Sequence, residues 1–139
     1  MGRFEYASKI LSDVINNNLS FRTASKVALK KEENEQIKSE VNAVVGCALR
    51  HYYVFKELAC RKYPEISEDN FNILSLGLAN HIFAKKFDEE SFNKYVASES
   101  KLEGVEQFIS SFNDPKALIP EDIEYGSKKF ISLRYNPHW

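Results

Sequence analysis

The chain has 139 residues, 43% of them hydrophobic and 13% aromatic, with only five glycines and four prolines. That is the length of one domain with enough apolar surface for a compact core, which excludes intrinsic disorder, and so few turn-forming residues weigh against a β-rich fold. The net charge of −1 conceals an uneven spread: residues 1–63 carry 11 Lys/Arg against 7 Asp/Glu, residues 64–126 carry 5 against 13, and residues 127–139 carry three basic side chains and no acidic one.

Such asymmetry fits a nucleic-acid-facing side, and random surface variation accounts for it about as well. No apolar run approaches the roughly 20 residues that cross a bilayer, and "MGRFEYASKIL" lacks the apolar core of a signal peptide. A cytoplasmic protein is therefore expected, with Cys47 and Cys60 as reduced thiols. Neither cysteine belongs to a C-x-x-C arrangement and His51, His81 and His138 are far apart, so no metal site is expected.

In chain order, "FEYASKILSDVINNN" places Phe4, Ala7, Ile10 (or Leu11), Val14 and Ile15 on one helical stripe, ended by Asn16-Asn17-Asn18. Ser20 is a candidate N-cap for a short second helix with Phe21, Ala24, Val27 and Ala28 inside. Arg22, Lys26 and Lys30 recur at helical spacing and are expected along its outer face. In "NEQIKSEVNAVVGCALRHYY" the residues Ile37, Val41, Val44, Val45, Ala48, Leu49 and Tyr52 form an apolar arc, while Ala43, Gly46 and Cys47 form a small opposite face. A glycine inside a helix costs about 1 kcal/mol relative to alanine, so close approach of another helix is expected there. Arg50, at the rim of that face, is expected to hydrogen-bond a neighbouring helix end rather than to touch a ligand, which stays the alternative.

Phe55, Leu58 and Ala59 continue the helical pattern until Pro64. Ser67 then caps "EDNFNILSLGLANHIF", which is apolar nearly all round and should lie deep in the core, with His81 satisfied at its edge. Asp88 is expected to start a short acidic helix through Tyr95. Ser100-Lys101-Leu102-Glu103 has the spacing of a capping box, opening a helix with Leu102, Val105, Phe108, Ile109 and Phe112 inside until Asp114-Pro115. Pro120 starts one last turn through Tyr125, ended by Gly126. The sum is all-α: a compact bundle of about seven helices over residues 1–126 and an extended linker over 127–139.

The chain lacks G-x-S-x-G, G-x-G-x-x-G and a P-loop, so the sequence supplies no catalytic residue and no cofactor-binding residue. Carboxylates at Glu32-Glu33, Asp88-Glu89-Glu90 and Glu121-Asp122 sit at helix starts, where they complement the helix dipole. What remains is binding. Arg22, Lys26, Lys30 and Lys31, with Arg3 and Lys9, could neutralise phosphates from one face, or could equally be a solvated surface.

At "VNAVVGCALRHYY", with Gly46 followed one turn later by Arg50, and at "NILSLGLANHIF", with Leu76-Gly77, the sequence resembles the NusB-like all-helical domain. "ISLRYNPHW" (Ser132, Arg134, Tyr135, Pro137, Trp139) is similar to the junction in the Sun/RsmB class of RNA cytosine-5 methyltransferases, where a NusB-like domain leads into the catalytic region. The chain departs from that family in carrying Arg3 alone where arginines often cluster. The resemblance implies a non-catalytic domain that helps an S-adenosylmethionine-dependent enzyme engage RNA, expected to be ribosomal, with the catalytic domain in cis beyond Trp139. It also brings Lys128, Lys129 and Arg134 into an RNA-lined junction. Two other roles are open: docking of a protein partner, as NusB-like antitermination factors do, or structural packing on the methyltransferase domain.

Overall fold

The structure, a computed structural model, describes residues 2–112. They form seven α-helices and one π-helical turn, with no strand among the described residues: α1 (Arg3–Asn16), α2 (Phe21–Ala28), α3 (Glu35–Arg50), α4 (Tyr52–Lys62), α5 (Glu68–Ala79), the π-turn Asn80–Ala84, α6 (Glu89–Ser100) and α7 (Val105–Ser110). The expected last turn at 120–125 and the linker at 127–139 lie outside the described residues, as do Lys128, Lys129 and Arg134.

Four of the seven helices begin where short polar side chains accept orphan amide protons. Ser20 accepts from the Thr23 amide, Asn34 from Gln36 and Ile37, Ser67 from Asn70, and Asp88 from Ser91. Helix α1 ends as expected in its asparagines. Asn18 takes a left-handed φ of 58°, and the Asp13 carbonyl accepts from the amides of both Asn17 and Leu19. Helix α4 ends at Lys62 because the residue before a proline avoids the helical region.

Helix α5 is the centre of the bundle and packs against α1, α3, α4, α6 and α7. Phe71, Leu74, Leu76, Leu78 and Ala79 are all but fully buried around its circumference, which is why its sequence is apolar on every side. Truncating one such leucine to alanine would remove about 3 kcal/mol. Helix α6 runs against α5. A Cβ at Gly77 would meet Val96, whereas in the π-turn that follows α5 His81 pairs with Glu89 at the opposite end of α6. The turn between them is held by Asn80. Its buried carboxamide accepts from the amides of Lys86 (3.0 Å) and Phe87 (2.9 Å) and donates to the Phe87 carbonyl at 3.2 Å.

Several expectations are corrected. Val27 is not inside α2; it is 61% exposed, and Leu29, just past the helix end, takes the buried place. Lys30 is not on the helix, because α2 closes at Ala28 and Lys30-Lys31 form the following turn. Helix α6 does not stop at Tyr95 but continues to Ser100, since Phe92 and Val96 keep its inner face buried for another turn. Ser100 consequently opens nothing. It is the last residue of α6, Lys101 follows with a left-handed φ of 56°, and α7 starts only at Val105. Over Gly46 lies the ring of Phe21, at 3.4 Å from where a Cβ would stand, rather than the backbone of another helix. Among the described residues Arg50 bonds no neighbouring helix end; its Nη2 donates to Cys47 Sγ at 3.3 Å. His81 is satisfied at Nδ1, 3.0 Å from Glu89 Oε1, but its buried Nε2 has no partner among the described residues.

Candidate nucleic-acid interface

Helix α2 lies against α1 and runs opposite to α3. Phe21 sits at Gly46, and four residues on, Ser25 Oγ donates to Asn42 Oδ1 at 2.7 Å. Only Ala24 of the helix is buried. The side away from Phe21, Ala24, Ser25 and Ala28 faces solvent, and it carries Arg22 and Lys26. Arg22 and Lys26 are exposed, one turn apart, with Val27 between Lys26 and the Lys30-Lys31 turn.

The position of that turn is set by Glu32. Its Oε2 accepts from the Asn34 amide at 3.1 Å and its Oε1 from the buried Tyr6 hydroxyl at 3.1 Å. The amide of Asn34, and after it the Tyr6 hydroxyl, hold the Glu32 carboxyl below the usual carboxylate range. Burial, reinforced by the same carboxylate, pushes the Tyr6 hydroxyl above its ordinary value. Glu32 thus fastens the turn to α1 through a hydrogen bond and stays charged, while its neighbours Lys30 and Lys31 point into solvent without an ion-pair partner among the described residues.

Six of the candidate cations lie within the described residues, and they divide into two groups. Arg22, Lys26, Lys30 and Lys31 are exposed and make no ion pair there. Arg3 and Lys9 are already engaged. Arg3 Nε is 3.3 Å from Glu40 Oε1 on α3, a charge contact without hydrogen-bond alignment, and Lys9 Nζ is 3.0 Å from Asp13 Oδ2 one turn ahead. Asp13 is buried, and it also accepts from Asn17 Nδ2 at 2.9 Å, so Lys9 neutralises a carboxylate that shapes the end of α1. Lys9→Asp13 is an i, i+4 pair that the sequence displays openly; Arg3–Glu40 joins two helices and is not.

Sequence reasoning placed Arg50 at the rim of the small face of α3 but left it out of the candidate cations. It is exposed at the end of α3, beside Phe21 and therefore at the start of α2. The signal that marked it was its place beside the small face Ala43-Gly46-Cys47, where Phe21 also lies close to Gly46. Among the described residues no group of three His, Cys, Asp or Glu could hold a metal ion, and no helix is long and apolar enough to cross a membrane. Cys47 is buried and Cys60 half-buried, both as free thiols. Comparison of the chain with protein-family models, curated proteins and solved structures finds no match.

Proposed function

We propose that the chain is a non-catalytic RNA-binding domain whose contact face is α2 and the turn after it. The observation that carries this reading is the contrast among the cations: Arg22, Lys26, Lys30 and Lys31 cluster on ten consecutive residues, exposed and without an ion pair among the described residues, whereas Arg3 and Lys9 lie against Glu40 and Asp13. Unpaired cations on a rigid helix and an anchored turn suit a phosphate backbone, where binding comes from counterion release and shape rather than from a deep pocket.

The test is a fluorescence-anisotropy titration of the 139-residue chain against a labelled RNA hairpin with single-stranded flanks, at several salt concentrations. Four phosphate contacts correspond to a slope of about −3 in log K against log salt. Binding that is indifferent to salt, or unchanged when Arg22, Lys26 and Lys30 are all replaced by Glu, would remove the proposed face.

On the similarity of residues 131–139 to the Sun/RsmB junction, the proposal extends to the parent protein: an S-adenosylmethionine-dependent methyltransferase acting on cytosine in RNA, with ribosomal RNA as the expected substrate. No residue of this chain is assigned to the cofactor, since the sequence holds no glycine-rich strand-to-helix turn that could cradle it. Transfer of a labelled methyl group to RNA by the product of the complete reading frame, compared with the same protein lacking residues 1–126, tests that extension. A product without RNA methylation would refute it and leave the RNA-binding face standing.

A second reading, docking of a basic protein, is favoured by the exposed carboxylates of α6 and the turn into α7, including Asp88, Glu90, Glu99 and Glu103. Binding of poly-lysine that is lost on reversing these four charges, with RNA binding intact, would establish it beside the first.

A further inference from the structure

We infer that Arg50 and Phe21 form a base-contacting corner of the same surface, at which one unpaired nucleobase stacks on the Arg50 guanidinium plane beside the Phe21 ring. The inference rests on the RNA-binding reading above and adds a residue from a different helix with a different mode of contact.

Three observations meet at Gly46. Arg50 Nη1 and Phe21 Cε2 lie 3.5 Å and 3.4 Å from the point where a Cβ on Gly46 would stand, so the guanidinium and the ring converge on one notch in α3. Arg50 Nη2 donates to Cys47 Sγ at 3.3 Å, which sets the direction of the guanidinium while leaving its charge unneutralised by any carboxylate among the described residues. Arg22 directly follows Phe21, which joins the corner to the cations of α2.

Each observation has a consequence for binding. A guanidinium already held by the thiol loses less conformational freedom when a ligand arrives than a free arginine would. Its plane and an adjacent aromatic ring are the two kinds of surface on which proteins stack splayed bases, and such stacking tolerates any base because every base has a π-face. Bases inside a duplex are already stacked on one another, so this corner selects single-stranded RNA or the unpaired part of a folded one. A lysine at the same place would keep the charge and lose the plane.

The experiment compares wild type, Arg50→Lys and Phe21→Leu in the 139-residue chain, binding a labelled 12-nucleotide single strand or a duplex of the same sequence across a salt series. Arg50 is exposed, so Arg50→Lys leaves the fold intact, and Phe21→Leu keeps apolar cover over Gly46. The expected result is preference of the wild type for the single strand, and a loss of about tenfold in single-strand affinity in either variant with the salt slope unchanged. Arg50→Lys binding like wild type, or the duplex binding better, would overturn the stacking corner while leaving the phosphate face in place. Wild type showing no salt-dependent binding to either RNA would instead remove the underlying RNA reading. Poly-glutamate competing as well as RNA would overturn the inference in favour of an acidic protein partner.

Discussion

Gly77 of α5 and Ile109 of α7 stand so close that a Cβ on the glycine would lie 2.9 Å from Ile109 Cδ1, and 3.2 Å from Val96 Cγ2 on α6. The absent side chain is what allows α6 and α7 to seat together on the central helix. Gly46, by contrast, has its nearest neighbour at an ordinary 3.4 Å. The two glycines look alike in sequence, each one turn or less from leucines and valines inside a helix, yet only one of them is required by packing.

The pair therefore separates in a single substitution each. Gly77→Ala should destabilise the fold by about 1–2 kcal/mol, overpacking against two fully buried side chains outweighing the helix propensity gained. Gly46→Ala should be neutral or stabilising by up to about 1 kcal/mol. Urea midpoints of the two variants, measured side by side, check the order; the reverse order would refute the packing described at α5.

Asn80 is the second place where a small change should have a large effect. Its buried carboxamide satisfies two amides and one carbonyl of Lys86 and Phe87. Asn80→Ala strands those groups and should remove about 3 kcal/mol. Asn80→Asp should fare no better, because it loses the donor to the Phe87 carbonyl and places a charge where the side chain is 0% exposed. Amide hydrogen exchange at Phe87 provides a local readout, with faster exchange expected in both variants.

Asp88 caps α6, and the Ser91 backbone amide, supported by the Ser91 hydroxyl, lowers its carboxyl below the ordinary 3.8 of an aspartate. A folded-state pKa that is depressed contributes stability above the unfolded value and loses it as the pH falls through the folded one. Wild type should accordingly exceed Asp88→Asn in urea midpoint at neutral pH, with the gap closing as the pH drops below 3.8 and the carboxylate is protonated. A gap that is constant with pH would show that the negative charge adds nothing to the cap.

The division of the cations makes a fourth prediction. Arg22→Ala and Lys26→Ala should each weaken RNA binding and make the salt slope shallower by about 0.7–0.9. Lys9→Ala should leave both unchanged and instead loosen the end of α1, where Asp13 would lose its counter-charge while still accepting from Asn17. Anisotropy titrations paired with thermal melts distinguish the two behaviours. Equal loss of affinity on removing Lys9 would mean that its pairing does not withdraw it from the surface.

Much of the helical frame was legible because its causes are local. The stripe from Phe4 to Val14, the caps Ser20 and Ser67, the start at Asp88 and the stop at Pro64 all depend on residues within a turn or two of one another. Val27 was misread because periodicity marks a face without telling which other element exists to cover it, and no element among the described residues covers that side of α2. The Ser100-to-Glu103 spacing failed for a related reason. A capping box competes with continued burial of the helix before it, and with Phe92 buried against Phe4 and Phe87 and Val96 against Gly77, the earlier helix kept Ser100.

The candidate site was legible only as a composition. That the first 63 residues are basic, that α2 is short, and that Arg22 and Lys26 share a face are properties of the sequence itself, because charge and helical spacing are written residue by residue. Apart from the local Lys9–Asp13 pair, which cations are engaged was decided by tertiary structure. Arg3 is taken by Glu40 from another helix, and Arg50 is aligned by Cys47 in the notch that Gly46 opens for Phe21. An ion pair or a shared notch depends on where two distant backbones come to rest, and that position follows from burying the core, not from the charges that the folding then brings together or leaves apart.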